Sequence, residues 1–315
     1  MRKTESGKRG KNMARISVNF ESEQLKRPIN IEVIVPSDHM VLKDMPLPEY
    51  NKPFRTLYLL EGVTGNATGP INYSKIMPLA EDYNLAVVCV AGENKWWSEM
   101  TAMNENYAEM VTTDVVNFTR RVFNLSDKRE DTYLGGFSMG GYGAFVNGFR
   151  HPELFSKLFS LDAALNKPAI IGSVNELSWD MYFRSHYEAM FNMKNIEDYA
   201  GSNNDYEYLA EKVSKETPEL MPEIFMACGV EDGLIGGNRD LRDLLQKLGY
   251  TVTWLEVPGN HSWYAFDNGI EPAVKWLTDS KDTFVDNVPY YGSIAHIDGT
   301  NFAHWSTMYN VEADS

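Results

Sequence analysis

The sequence predicts an α/β protein with a mostly parallel, eight-stranded sheet, helices on both of its faces and a small helical insertion. Two leading segments alternate apolar and polar residues, which is typical of antiparallel strands at the edge of a sheet. Continuous apolar runs then alternate with helical stripes, the pattern of parallel strands joined by crossover helices. In the middle of the chain, a glycine-rich turn joins one such run to a small-residue helix.

The predicted strands differ in how completely the sheet buries them. The first two expose one face to water, whereas residues 85–91 are apolar throughout, which is typical of a parallel strand covered on both faces. Helical spacing marks the segments between the later strands, for example residues 241–248, where Gly249 ends the stripe. In chain order, the eight predicted strands are residues 15–20, 29–35, 56–60, 85–91, 131–134, 158–161, 223–228 and 252–257.

A chain of 315 residues is long enough for one large α/β domain, which we predict over residues 15–279. Residues 163–222 lack strand patterning, and we expect them to form a mostly helical insertion over the sheet. Residues 1–14 are predicted to be a disordered or cloning-derived extension. Residues 280–315 form a C-terminal tail that packs on the domain, on a neighbouring subunit of a homo-oligomer, or on neither.

Composition and charge argue against several classes of partner. The net charge of −15 disfavours nucleic acid and anionic membranes, and no stretch approaches the length of a transmembrane helix. The basic N-terminus is not followed by an apolar segment and is not a secretory signal, so we expect a cytoplasmic protein. Cys89 and Cys228 lie in predicted strands, and we expect buried free thiols rather than a disulfide or metal site.

The glycine-rich turn, residues 135–141, contains Gly-x-Ser-x-Gly around Ser138. In that motif a strand turns sharply into a helix and holds one serine at the top of the turn. The tight backbone leaves no room for side chains two residues before and after the serine. Because an apolar strand precedes the motif and a small-residue helix follows it, ending before Pro152, we predict that Ser138 is a nucleophile.

A serine hydroxyl is a poor nucleophile at neutral pH, so it needs a base, and the base needs an orienting acid. On this architecture the chain order is Ser, then Asp or Glu, then His, each after a strand at the carboxyl edge of the sheet. Ser138, Asp232 and His261 follow that order. Of the six histidines, only His261 lies in a loop just past the last predicted strand, and we predict it to be the base.

The acid has a second candidate in Asp162, which ends the strand before that of Asp232. Some enzymes of this architecture take their acid from there. We favour Asp232 because Gly229 and Gly233 flank it in a turn that can aim its side chain inward. Asp162 precedes two alanines and fits the role of a helix cap equally well.

Attack of a serine on a carbonyl group also needs N–H donors for the oxyanion that forms. The backbone of Met139, directly after the nucleophile, supplies one donor. The second should come from the loop after an early central strand, where Gly62 and Val63 stand. Gly62, Trp97 and Trp263 are the residues that we predict to contact the substrate, although the tryptophans fit ordinary packing as well.

Other chemistries find little support in the sequence. No dinucleotide-binding fingerprint opens a first βαβ unit, and there is no Walker A run. No pair of histidines has metal-ligand spacing on one helix.

Several segments resemble the tributyrin esterase or esterase D-like branch of the α/β hydrolases. The branch includes S-formylglutathione hydrolases, feruloyl (cinnamoyl) esterases and carbohydrate acetyl esterases. The resemblance extends from about residue 16 to residue 277. The matching segments are residues 60–66, 128–132, 136–144 (Gly-Phe-Ser-Met-Gly-Gly-Tyr-Gly-Ala), 150–153 and 259–263 (Gly-Asn-His-Ser-Trp).

The resemblance implies the α/β-hydrolase fold and no cofactor. It implies Ser138 as nucleophile, Asp232 as acid and His261 as base. It further implies that the backbone N–H groups of Val63 and Met139 form the oxyanion hole.

Two features depart from the family pattern. Many members carry a histidine or serine at the position of Glu61, before the oxyanion glycine, and we expect a carboxylate there to alter the surroundings of the oxyanion hole or to disfavour anionic substrates. The insertion and the tail after residue 280 match no segment that we can place.

We therefore predict a serine carboxylesterase that hydrolyses small-molecule short-chain acyl or aryl esters through an acyl-enzyme. The alternatives within the branch are a feruloyl or carbohydrate acetyl esterase and an S-formylglutathione hydrolase. Outside the enzymes, the alternatives are a catalytically silent binding protein on a hydrolase scaffold and a carbohydrate-binding module that uses the tryptophans.

Overall fold

The computed structural model describes residues 12–38, 52–100, 103–175 and 182–278. The predicted tail, 280–315, and most of the predicted N-terminal extension lie outside the described residues, so those two assignments remain predictions.

Within these described residues, ten strands form one large sheet and one small hairpin. The large sheet has the strand order β1-β2-β4-β3-β7-β8-β9-β10, and β5 pairs with β6. The strands are β1 (Asn12–Ser22), β2 (Arg27–Asp38), β3 (Arg55–Leu60), β4 (Leu85–Val90), β5 (Glu99–Met100), β6 (Glu105–Asn106), β7 (Thr132–Phe137), β8 (Lys157–Leu161), β9 (Glu223–Gly229) and β10 (Val252–Val257).

The pairing confirms the predicted eight-stranded, mostly parallel sheet. Strands β1 and β2 are antiparallel, β2 is antiparallel to β4, and all pairs from β4 to β10 are parallel. Strand β1 begins at Asn12, before the predicted start, and Ala14 pairs with Val35. Residues 12–14 therefore belong to the sheet, because an edge strand can lengthen as far as its partner offers backbone groups.

Helices fill the connections between the parallel strands, and one more follows the last strand, β10. They are α1 (Gly69–Tyr73), α2 (Ile76–Asp82), α3 (Tyr107–Glu109), α4 (Val116–Val122), α5 (Met139–Arg150), α6 (Lys167–Ile171), α7 (Arg184–Met190), α8 (Tyr206–Glu216), α9 (Ile235–Lys247) and α10 (Trp263–Leu277). A π-helical stretch, Met110–Val115, joins α3 to α4. Helices α6, α7 and α8 lie within the predicted insertion, residues 163–222.

Helices α5 and α10 lie on opposite faces of the sheet. Successive side chains of β8 point to opposite faces. Ser160 faces α5, where a Cβ atom at Gly141 would lie 3.2 Å from its Cβ. Leu161 faces α10, where a Cβ atom at Gly269 would lie 2.8 Å from its Cδ2. Glycines on both helices thus permit close packing on the strand that precedes Asp162.

The parallel strands bring the candidate residues to one edge of the sheet. Because neighbouring parallel strands end at the same edge, the loops that leave their carboxyl ends converge. Both predicted thiols, Cys89 in β4 and Cys228 in β9, are buried and free, as expected. The residues that follow strand ends at this edge are Glu61 after β3, Ser138 after β7, Asp162 after β8, Asp232 after β9 and His261 after β10.

The turn between β7 and α5 tolerates no side chain at Gly140. A Cβ atom there would overlap the backbone carbonyl oxygen of Leu60 in β3. We expect Gly140→Ala to lower the free energy of unfolding by roughly 2–4 kcal/mol and to displace the turn, because backbone rather than a flexible side chain must move. Urea denaturation measures the change.

Gly236→Ala is the matched control for this prediction. Gly236 lies in α9, and no heavy atom of the described residues comes within 4 Å of a Cβ atom built there. Its stability should be unchanged or slightly raised, because alanine favours helix. A Gly140→Ala protein as stable as Gly236→Ala would contradict the close packing of the turn.

Candidate active site

The backbone of Ser138 is held in a strained conformation at the strand-to-helix turn. Its φ of 53° and ψ of −116° lie in a region that side chains rarely adopt. Its N–H donates to the carbonyl of Leu161 at 3.0 Å, and its carbonyl accepts from the N–H groups of Tyr142 and Ala164. Bonds to β8, to α5 and to the segment after β8 thus fix the serine.

Ser138, His261 and Asp232 form a continuous chain of hydrogen bonds. His261 Nε2 lies 2.9 Å from Ser138 Oγ, and His261 Nδ1 lies 2.6 Å from Asp232 Oδ2. The N–H of Leu234 donates to the other carboxylate oxygen of Asp232 at 2.8 Å. The loops that carry the acid and the base are also joined, because Glu231 N–H donates to the carbonyl of Gly259 at 3.0 Å.

The electrostatics of these three residues determine which of their atoms carry protons. Burial would raise the pKa of Asp232, but the hydrogen bond to His261, the adjacent carboxyl group of Asp162 and the N–H of Leu234 hold it below its usual value of 3.8. Asp232 is therefore ionised at neutral pH and can only accept, so His261 Nδ1–H is the donor. His261 Nε2 is then free to accept the proton of Ser138 Oγ–H.

The pKa of His261 is raised above its usual 6.5. Desolvation acts in the opposite direction, but the hydrogen bond to Asp232 and the negative charge of that carboxylate outweigh it. The ring is 39% exposed, which leaves it open to a substrate from solution. An imidazole whose charged form is stabilised in this way can take a proton from the serine and later return it.

A tight turn lies directly beside the serine. The N–H of Gly65 donates to the carbonyl of Gly62 at 3.2 Å, and a Cβ atom at Gly62 would come within 3.2 Å of Ser138 Cβ. Val63 lies within this turn. Met139 is the first residue of α5, where the backbone N–H groups have no partner inside the helix. The turn and the helix start are thus the two predicted sources of oxyanion donors.

Glu61 lies under this turn with its carboxylate buried. Its Oε1 accepts from the N–H groups of Gly92 and Glu93 at 2.9 Å and 3.2 Å, so it joins the loop after β3 to the loop after β4. A second link is nearby, since Thr64 N–H donates to Asn94 Oδ1 at 2.6 Å. Burial raises the pKa of Glu61 to about 7, although the two N–H groups oppose the shift.

The Esterase family model matches residues 22–277 of the chain. The chain belongs to the Esterase family. The acetyl esterase of Caldicellulosiruptor saccharolyticus is 33% identical over 273 residues, which cover 86% of this chain and all of that protein. The predicted family is thus confirmed.

Solved structures give the same fold for this esterase. A substrate-bound, fluorophosphonate-binding serine hydrolase of Staphylococcus aureus matches with a TM-score of 0.72 and 27% identity, over 84% of this chain and 98% of that one. The apo S-formylglutathione hydrolase of the same species matches with a TM-score of 0.71 and 27% identity, over 85% and 99%. The esterase is therefore a serine esterase with the α/β-hydrolase fold. Within its described residues, no helix combines the length and apolar character that a membrane span needs.

The buried carboxyl group of Glu61 makes the esterase's stability depend on pH. Because its folded pKa of about 7 exceeds its usual 4.5, the folded state holds this proton more tightly, and the free energy of unfolding falls as pH rises from 4.5 to about 7. Glu61→Gln cannot ionise. We expect the free energy of unfolding of this variant, relative to that of the wild type, to rise by on the order of 2–3 kcal/mol between pH 4.5 and pH 8.

Urea denaturation at both pH values measures this gain. Glu219→Gln, which neutralises an exposed carboxylate, is the control and should follow the wild type. A Glu61→Gln protein whose stability keeps the wild-type pH dependence would show that Glu61 is ionised throughout.

The structure contradicts the substrate contact that we predicted for Trp97. Its side chain is fully buried and fills the space over Gly92 and Gly143. It is a core residue, because two glycines in adjoining segments leave a gap that only a large ring fills.

Gly62 lies beside the candidate nucleophile, and Trp263 packs on the residue that precedes it. Trp263 is half-buried, two residues after His261, and its ring packs on those of Phe137 and Tyr73. Of the described histidines, His151 contacts Glu109 and Glu153 instead of the serine, and His186 lies in α7.

Sequence reasoning missed Asn94 and Tyr73. Asn94 has a φ of 63°, and asparagine is enriched in that left-handed region, which is the one local signal for its position. Tyr73 carried no signal, because its contact with Trp263 depends on how α1 and α10 meet.

Proposed function

We propose that this esterase hydrolyses short-chain acyl or aryl esters through an acyl-enzyme on Ser138, with His261 as base and Asp232 as orienting acid. The hydrogen-bond chain from Asp232 through His261 to Ser138 is the observation that carries the proposal. Its geometry is that of an activated serine nucleophile.

In acylation, Ser138 Oγ attacks the ester carbonyl carbon while His261 Nε2 takes the hydroxyl proton. The backbone N–H groups of Val63 and Met139 stabilise the oxyanion. The imidazolium then protonates the alkoxide oxygen, the carbon–oxygen bond to the alcohol breaks, and the acyl group stays on Ser138.

In deacylation, His261 takes a proton from water, and the hydroxide adds to the acyl carbon. His261 returns that proton to Ser138 Oγ as the acid leaves. Throughout both steps, the carboxylate of Asp232 holds Nδ1–H and stabilises the positive charge on the ring.

The acetyl esterase relative supports a small acyl group, because the match covers its entire length. The partly exposed Trp263 and the exposed Tyr73 beside it offer an apolar surface near His261, which suits an aryl or sugar ring. A second candidate is thioester hydrolysis, which the S-formylglutathione hydrolase neighbour favours.

A panel of substrates on the purified protein tests the proposal. We expect kcat/KM to be highest for p-nitrophenyl acetate or butyrate and to fall by about tenfold or more for the octanoate, in keeping with the steps that single pocket contacts produce. Methyl ferulate and S-formylglutathione complete the panel. A kcat/KM for S-formylglutathione well above those of the aryl esters would replace this proposal with the thioesterase.

We also propose that the protein works in the cytoplasm and without nucleic acid. Its net charge of −15 supports the absence of a polyanionic partner. Fractionation of cells that express the full chain tests the location, and recovery in a membrane or extracellular fraction would contradict it.

A further inference from the structure

A second buried carboxyl group stands behind the candidate acid. Asp162 directly follows β8, has a φ of 49°, and is fully buried. Its Oδ1 accepts from the N–H of Gly229 at 2.7 Å and lies 3.6 Å from Cys228 Sγ. Its Oδ2 is also buried, and no donor in the described part of the chain reaches it. A buried carboxylate oxygen without a donor is costly, so this atom calls for a physical explanation.

The surroundings of Asp162 favour its protonated form. One carboxylate or ring atom each of Asp162, Asp232 and His261 lies within 4.8 Å of the other two. The titratable groups that face Asp162 are Cys228 in β9, Asp232 and His261. No lysine or arginine among the described residues forms an ion pair with it.

Two carboxylates this close do not both ionise readily. Asp232 carries the charge, because His261 Nδ1–H and Leu234 N–H both donate to it. Burial, and then the adjacent Asp232 carboxylate, raise the pKa of Asp162 from 3.8 to about 7.

We propose that Asp162 is a positioning residue that holds its proton at acid to near-neutral pH and donates its carboxyl O–H to Asp232. The orphaned Oδ2 is then the donor oxygen. The bond fixes the Asp232 carboxylate, which in turn orients His261. It also reduces the negative charge that the Asp232 carboxylate presents to the His261 ring. This inference rests on the proposed function, since it assigns Asp162 a role through the triad.

Two substitutions separate hydrogen-bond donation from charge and from space filling. Asp162→Asn keeps a donor of the same shape, and we expect kcat with p-nitrophenyl acetate to fall less than about fivefold. Asp162→Leu removes the donor, and we expect kcat to fall by about 10–100-fold with little change in KM, the range of a hydrogen bond to a charged group.

The pH profile distinguishes this role from a merely structural one. Without the donor, the full charge of Asp232 acts on His261, so the acid limb of kcat/KM should move to higher pH in Asp162→Leu. In Asp162→Asn the limb should stay within about 0.3 unit of the wild type. If Asp162 were ionised in the wild type, Asn would remove a negative charge and move the limb down by about a unit, which would overturn the proposal.

The background of Asp232→Ala tests whether Asp162 acts through Asp232. In that background, Asp162→Leu should lower kcat by less than about a further threefold, because the carboxylate that accepts the Asp162 proton is absent. A full additional loss would overturn the proposal. So would an Asp162→Leu enzyme with wild-type kcat. If Asp162→Leu does not fold, the acid limb of Asp162→Asn decides alone. Wild-type kcat in Asp232→Ala itself would instead refute the proposed function.

Discussion

Ser138→Ala is expected to lose about 10⁴–10⁶ of kcat toward p-nitrophenyl acetate, because the variant has no oxygen to receive the acyl group. The strained backbone and the bond to His261 prepare this one hydroxyl for attack. The residual rate should come from the oxyanion donors and substrate binding alone. Steady-state kinetics on the purified variant measures the loss.

Ser160→Ala is the matched control for this result. Ser160 is also a buried serine, lies in β8 next to the strand of the candidate nucleophile, and has no hydrogen-bond partner for its hydroxyl among the described residues. It should keep wild-type kcat. A folded Ser138→Ala enzyme that retains a rate close to that of Ser160→Ala would remove Ser138 from the mechanism.

Asp232→Asn is expected to lose about 10³–10⁴ of kcat. The amide can donate to His261 Nδ1, which would place the ring proton on Nε2. A protonated Nε2 cannot accept the hydroxyl proton of Ser138. The charge that stabilises the imidazolium is lost as well, so the pKa of His261 should fall from its raised value. Kinetics between pH 5 and pH 9 would show both effects.

The comparison with Asp162→Asn decides which aspartate is the acid. In Asp162→Asn, kcat should fall by less than about fivefold, because an amide still donates to Asp232. Equal losses in the two variants, or a larger loss in Asp162→Asn, would show that Asp162 rather than Asp232 orients His261.

The proximity of Ser138 and His261, the candidate nucleophile and base, could be predicted from the sequence because both residues obey local rules. Glycines at fixed offsets mark the turn at Ser138, and His261 is the one histidine in the loop directly after the last strand. Parallel strands with a common carboxyl edge then bring these residues together. The eight-stranded sheet was predictable for the same reason, since burial on both faces leaves continuous apolar runs.

The relation between the two aspartates could not be predicted. Asp162 and Asp232 both follow strands, and what separates them is backbone conformation, since the left-handed turn at Asp162 directs its Oδ1 to the N–H of Gly229. The bonds of Glu61 to Gly92 and Glu93 depend on how β3 and β4 align, which sequence spacing does not encode. Trp97 was mispredicted because a loop tryptophan fits a pocket and a core equally well.

The most direct measurement of the central claim is labelling of the wild-type protein by a fluorophosphonate at neutral pH, with the modified residue identified by mass spectrometry. The activated hydroxyl should displace fluoride and form one adduct, on Ser138. Ser138→Ala should not be labelled, and Ser160→Ala should be labelled at the wild-type rate. A folded wild-type protein that stays unmodified, or that carries the adduct on another residue, would contradict the account.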